Sequence, residues 1–277
     1  VRKGEWLKLS QSLSRQIPEK LADRLSRSGG LAEKPGGLHV KAFPREASGI
    51  PASWGQFDVL FEDDFCLVAG KPAGMKVHPT EPGELGTLNH AVAYHYEATG
   101  QACRVRHIHR LDEDTTGPVL YAKNEWAHLV LDQAMREKRI ERLYSAIVHG
   151  RLRESRGTVD QPIGKDRHHR SRRRVSATGE SAVTIYELAE QYTSSAWIRL
   201  QLLTGRTHQI RVHMSFLGHP LLGDELYGGS VKGPSFSRQA LHGEMLRFPH
   251  PLTGEITEVE APWPEDLSLL KESCAKI

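Results

Sequence analysis

Apolar and polar positions alternate in short, regular runs from Phe57 onward, and the elements of the chain follow from that rhythm. The stretch VLFEDDFCLVAGKPAGM (59–75) predicts two short strands joined by a turn at Asp63–Asp64. Leu88 to Tyr96 reads as a short helix and Val119–Ala122 as a short apolar strand, set off from the preceding loop by a turn at Gly117–Pro118. Asn124 is placed to cap a helix over Trp126–Lys138 that buries Leu129, Val130, Ala134 and Met135. Leu143–Val148 is strand-like, with Tyr144, Ala146 and Val148 on one face and Leu143, Ser145 and Ile147 on the other. Ser181–Leu188 and Ala196–Leu203 read as further strands, the second with Ala196, Ile198, Leu200 and Leu202 on one face. The period then changes. In LTGRTHQIRVHMSFLGHP (203–220), Thr207 is the expected N-cap, Ile210, Met214 and Leu217 form an apolar stripe, and Gly218 ends the helix. Strands and helices mix without a steady βαβ alternation, which predicts an α+β fold with a mixed, mostly antiparallel sheet.

Residues 1–50 break this rhythm. A basic, weakly helical start from Trp6 to Leu25 gives way to GG, PGG and SGIP breakers, so the segment reads as an accessory region and linker before a main domain over 51–277. The 277 residues suffice for a sizeable core. No apolar run reaches membrane-spanning length, and three separated cysteines give neither a disulfide framework nor a zinc knuckle; both point to a cytoplasmic protein. No apolar heptads stand out, and the expectation is a monomer.

The net charge of +3 says little, but its distribution says more. RHHRSRRR (167–174) packs five arginines into eight residues. Such a run reads either as a solvated or disordered stretch or as a phosphate-contacting loop, for which the planar guanidinium fork is well suited. A second polar concentration, HIHRLDEDTTG (107–117), sets Asp112, Glu113 and Asp114 side by side just before a strand. The local sequence does not choose among them. Three such carboxylates repel and favour a cationic partner. Arg206 and Arg211 are candidates, but five residues apart on a helix they point differently, so only one can address a given carboxylate. His107/His109, His168/His169 and His208/His213 lack HExxH spacing, no nucleotide-binding or nucleophile-elbow motif occurs, and no metal or cofactor is called for.

Several of these stretches together resemble the RluA family of RNA pseudouridine synthases. HRLDEDTTG is similar to the HRLDxxTSG signature, and RLYSAIVHG (142–150) to a KxYxAxVxG strand. LTGRTHQIRVHMSFLGHPLLGDELYGG (203–229) resembles the GRTHQIRxHxxxxGHPIxGDxxYG block. KPAGMKVHP (71–79) and ALHGEMLRFPHPLTGE (240–255) resemble the family's early and late blocks. Five blocks in the family's order cover most of the chain. Thr116, Arg142 and Gly243 depart from the commoner Ser, Lys and Ala, and residues 1–50 match no family RNA-binding domain well.

The resemblance implies a pseudouridine synthase fold, a mixed sheet flanked by helices with a catalytic cleft. It implies isomerisation of uridine in ribosomal or transfer RNA, without a cofactor. By it Asp112 is the catalytic carboxylate, with Glu113 and Asp114 as bystanders, Arg211 its ionic partner, and Tyr144 the ring against the target base. The Arg211 pair is expected to keep Asp112 anionic against the cost of desolvation. Substrate contacts are expected from Arg110, which fills the space left by a flipped base, and from His109, which shapes its loop. Arg206, Ile210 and the run's Arg170, Arg172 and Arg173 complete that set. An RNA-binding protein of the same fold without catalysis, and more remotely a metal-dependent nucleic-acid hydrolase, are the readings that compete.

Overall fold

The structure is a computed structural model that describes residues 6–9, 11–17, 19–27, 29–41, 46–228 and 236–276. Lys3–Glu5 of the KGEWLKL start and Gly229 of the long central block lie outside the described residues. The chain forms two compact units, each built from separate stretches. The first takes residues 1–111, 118–140 and 247–259; the second takes 112–117, 141–246 and 260–277.

In the first unit, β1 (Trp6–Lys8), α1 (Gln11–Gln16), α2 (Glu19–Arg27), β2 (Leu31–Lys34) and β3 (Gly37–Lys41) make a small module with sheet order β1-β3-β2. A second sheet follows from β4 (Asp58–Glu62), β5 (Cys66–Lys71) and, after α3 (Leu88–Ala98), β6 (Gly117–Ala122), in the order β4-β5-β6. The turn between β4 and β5 closes at Asp63, whose carboxylate accepts the backbone N–H groups of Phe65 and Cys66. Leu67, Ala69, Leu88, Val92, Tyr96, Val119 and Tyr121 pack α3 onto this sheet. The helix α4 (Glu125–Arg136) is capped as expected, with the Asn124 side chain accepting the Ala127 N–H at 2.8 Å. Its buried face carries Trp126, Ala127, Val130, Leu131 and Ala134; Leu129 and Met135 sit half-buried beside that face rather than in it.

The second unit is built on antiparallel strands. β7 (Glu141–His149), β8 (Arg156–Asp160), β11 (Val183–Gln191), β12 (Ser195–Leu202) and β13 (Leu241–Pro249) run in the order β13-β7-β12-β11-β8. Between β8 and β11, β9 (Ile163–Lys165) and β10 (Arg173–Val175) form a hairpin. Alternation is clean on β12, where Ala196, Ile198 and Leu200 are buried. Tyr144 of β7 lies opposite Leu200 of β12. α5 (Gln209–Phe216), a 3-10 turn at Glu225–Tyr227 and α6 (Glu265–Ala275) complete the unit, and α6 packs through Leu267, Leu270 and Cys274. β13 ends in the first unit, where β14 (Ile256–Glu260) pairs with it. No helix among the described residues is long and apolar enough to cross a membrane.

Two expectations about the turns need correcting. Gly117 and Pro118 do not turn the chain; they open β6. Gly117 holds φ +130, and a Cβ there would come within 2.5 Å of the Gly243 carbonyl oxygen. Glycine is thus needed for a close backbone approach inside a strand. The N-cap of α5 is His208, not Thr207, which is exposed. The Gln209 side chain does the work given to threonine: its oxygen accepts from the Thr204 hydroxyl and the Arg206 N–H. Its amide nitrogen donates to the Val183 carbonyl and the Thr184 hydroxyl, so this buried amide latches the GRTHQ turn onto β11.

Candidate active site

The loop that leads to β6 is held from behind. The Asp112 carbonyl accepts the Thr115 N–H, Gln239 donates to the Thr115 hydroxyl, and Arg238 donates to the Asp114 carbonyl. Arg238 is itself fixed by two hydrogen bonds to Asp266, at 2.8 and 2.9 Å. His242 contacts the Ala261 carbonyl through Nε2, which must therefore donate. Its Nδ1 is left to accept from the Thr116 hydroxyl at 2.8 Å. Burial lowers the His242 pKa, which keeps this neutral arrangement in place.

Among the three neighbouring carboxylates only Asp112 meets an arginine of α5. Its Oδ2 lies 3.2 Å from Arg211 Nη1, and its Oδ1 has no hydrogen-bond partner among the described residues. Arg206 points elsewhere, toward Glu180 and the Ser181 carbonyl. The alternative left open by spacing therefore closes on Arg211.

Sequence reasoning missed the stronger half of this site. Arg211 makes its bidentate pair with Asp224, at 2.7 and 2.9 Å, and the Asp224 side chain is completely buried. Burial works against the guanidinium charge, but Asp224 first and Asp112 second hold its pKa above the ordinary arginine value. Arg211 is thus a fixed cation between one buried carboxylate and one that is 24% exposed. Gly223 makes room for this. At φ +72, a Cβ there would fall 2.0 Å from the Arg238 carbonyl oxygen, so only glycine can deliver Asp224 to Arg211. The GD pair in LLGDELYGG was the available signal, although nothing local ties it to an arginine of the preceding helix.

Tyr144 is buried on β7, and its pKa is raised by that burial, with a smaller push from the Asp112 charge. Its phenol stays protonated at neutral pH, which suits a packing ring better than a base. Ile210 is buried in the first turn of α5. The RHHRSRRR run leads into a paired strand. It forms the tip and second strand of the β9–β10 hairpin, closed by the Asp166 N–H donating to the Arg172 carbonyl. His169 Nδ1 accepts the N–H groups of Ser171 and Arg172 inside the tip. Arg170, Arg172 and Arg174 are exposed, and Arg173 is half-buried.

In the first unit, His109 is buried and its Nε2 accepts the Leu120 N–H at 3.3 Å, a bond that ties the HRL segment to β6. Arg110 is exposed and meets His78 Nε2 at 3.3 Å. His78 neighbours His107, which Asn89 and Tyr121 line up in turn. Among the described residues no group of three His, Cys, Asp or Glu side chains is placed to hold a metal ion.

A buried arginine clamped by two carboxylates, one of them reachable from solvent and free on one oxygen, is a site for stabilising or trapping positive charge. Residues 65–216 match the RNA pseudouridylate synthase family, and the chain belongs to that family of RNA-modifying isomerases. It is 48% identical over 227 residues to an uncharacterized RNA pseudouridine synthase, YhcT, of Bacillus subtilis, across 81% of this chain and 74% of the relative. It is 43% identical to the ribosomal large subunit pseudouridine synthase D of Vibrio parahaemolyticus, across 83% of this chain and 73% of the relative. Among solved structures it is similar to human RNA pseudouridylate synthase domain containing 1. That match has a TM-score of 0.64 and 28% identity, and covers 78% of this chain and 86% of that one. The chain is an RNA pseudouridine synthase, and its fold is the α+β fold of that class.

Proposed function

We propose that Asp112 is the catalytic carboxylate of this synthase, that Arg211 fixes it, and that Tyr144 packs on the target uracil. The observation that carries this is the free Oδ1 of Asp112 beside an Oδ2 held by Arg211. The reaction breaks the bond from uracil N1 to ribose C1′ and forms one from C5 to C1′; a proton leaves C5 and one is gained at N1. Positive charge develops at C1′ while the base is detached, and an anchored carboxylate lowers the energy of that state. Redox chemistry and transferred groups play no part, and the residues call for no cofactor.

The base must leave its stack to reach the half-buried Asp112, at a cost of a few kcal/mol. Arg110 is the side chain we assign to the vacated space. His109 shapes its loop, and Arg206 and Ile210 border the site. Arg170, Arg172 and Arg173 belong to the hairpin that holds phosphates. The names of the Vibrio relatives make ribosomal RNA of the large subunit the first substrate to test, with transfer RNA second. Residues 51–277 act as the synthase domain and 1–50 as an accessory segment, in a monomer working in the cytoplasm.

The test is pseudouridine mapping of total RNA by carbodiimide labelling and primer extension. A strain lacking the protein is compared with the same strain given wild type or Asp112→Ala. Loss of a site that wild type restores and Asp112→Ala does not is the expected result. A site restored equally by Asp112→Ala removes the carboxylate from the mechanism.

A further inference from the structure

One aromatic ring in the second unit touches both the arginine-rich hairpin and the ion cluster at Asp112. Tyr227 follows Asp224 by three residues and is packed with Ile163 and Ala182, Val212 of α5, and Val175 of β10. Its carbonyl accepts the Ser215 hydroxyl at 2.9 Å, which ties it to α5. Its hydroxyl oxygen accepts the backbone N–H of Arg173 at 2.8 Å and lies 2.8 Å from His208 Nδ1. The guanidinium carbons of Arg172 and Arg211 lie 5.5 and 5.0 Å from its ring centre.

The protons in this chain can be assigned. Tyr227 is buried, and burial raises its pKa to about 12, so the hydroxyl keeps its proton. The only acceptor within reach of that proton, among the described residues, is His208 Nδ1. A histidine donating from Nδ1 would leave a buried hydroxyl proton unpaired, at a cost on the order of 1–3 kcal/mol. His208 is therefore neutral, accepts at Nδ1 and carries its proton on Nε2. It also pays for this place: it is the N-cap of α5 at φ +58, one of two positive-φ residues other than glycine among the described residues. Strain of that kind persists where the surroundings require it. Burial lowers the His208 pKa, and the nearby Asp112 charge opposes that.

We infer that Tyr227 and His208 are positioning residues that couple the grip of the hairpin on RNA phosphates to the placement of Arg211 and Asp112. Phosphates drawn onto Arg170, Arg172 and Arg174 shift or stiffen the hairpin. Its Arg173 N–H moves the Tyr227 hydroxyl, and the ring carries that change to His208 and to the Arg211 guanidinium beside Asp112. Neither residue is assigned contact with the reacting atoms. The inference rests on Asp112 being the catalytic carboxylate.

The test is a double-mutant cycle on steady-state kinetics with the mapped RNA. Tyr227→Phe keeps the ring and removes both hydroxyl bonds. It should lower kcat about tenfold, the worth of one well-placed hydrogen bond, with KM nearly unchanged because the arginines remain. Arg170→Ala/Arg174→Ala should raise KM and also lower kcat in the wild-type background, but raise only KM in the Tyr227→Phe background. Equal kcat losses in both backgrounds overturn the coupling.

A second pair of variants separates positioning from folding. His208→Gly and His208→Asn both tolerate φ near +58, but only asparagine presents an acceptor near the Nδ1 position. Asparagine should restore most of the kcat that glycine loses; equal activity of the two overturns the assignment. If Asp112→Ala retains activity in the same assay, it is the proposed function that fails, whatever Tyr227→Phe does.

Discussion

Arginine serves two opposite purposes in this chain. At Arg211 one guanidinium is 9% exposed, clamped by Asp224 and touched by Asp112. On the hairpin, Arg170, Arg172 and Arg174 stand in solvent, and Arg172 finds a carboxylate only at 4.0 Å, in Asp166. Burial decides the difference. A charge out of water must be paired, and its pairing then fixes geometry; a charge in water is easily held and free to meet a partner. The first kind can orient a catalytic carboxylate and the second can receive a phosphate backbone, and neither could take the other's place.

The sharpest way to break this contrast is to take Asp224 away. Asp224→Ala leaves Arg211 buried with one longer bond to Asp112. Removing one member of a buried pair costs on the order of 3–5 kcal/mol, because the remaining charge is uncompensated. Urea unfolding should show a drop of that size, and turnover should fall with it as Asp112 is drawn toward the orphaned guanidinium. A drop below about 1 kcal/mol would mean that water reaches Arg211 and solvates its charge once Asp224 is gone.

How much of this was legible beforehand depended on range. Alternation along β12 and the Asn124 cap are local, and both were readable from neighbouring residues. Arg211 was separable from Arg206 only through the family resemblance, since helical spacing alone said that one of them would be excluded without saying which. Asp224 stands out as part of a GD pair, but no local pattern links it to Arg211. Its role needs Gly223 to pass within a Cβ radius of the Arg238 carbonyl, an approach between separate loops. The α5 cap was misplaced for a related reason. Thr207 is the better capping residue by type, but a glutamine latched onto β11 closed the turn first. The arginine run was ambiguous because charge density does not report whether Tyr227 waits beneath it to hold Arg173.

Acid tests the same rule on a half-buried group without a counter-charge. His107 has its pKa lowered to about 4, by burial first and then by His78 and Arg110. The unfolded chain takes up this proton near pH 6.5 and the folded chain does not until about pH 4, so stability from this site is intact above pH 6.5 and falls as pH drops through that window. After allowance for partial solvent access, the decrease is about 2–3 kcal/mol by pH 4. Unfolding measured at about pH 7 and about pH 4.5 should show a smaller drop for His107→Gln than for wild type. Parallel curves for the two proteins would place the acid sensitivity elsewhere.

The hairpin should behave in the reverse way. Arg170→Ala/Arg174→Ala removes exposed charges with no buried partner, and the unfolding free energy should stay within about 0.5 kcal/mol of wild type. RNA affinity should weaken, and the slope of log affinity against log salt should flatten by about 0.7 for each phosphate of a single strand that is no longer neutralised. The two readings must move apart: stability unmoved and salt dependence reduced. If affinity falls with the salt slope unchanged, the arginines shape the tip rather than meet phosphates, and the hairpin would resemble Arg211 more than its exposure suggests. A fall in stability together with an unchanged salt slope would extend that result to the strand pairing of Ile163–Lys165 with Arg173–Val175 itself.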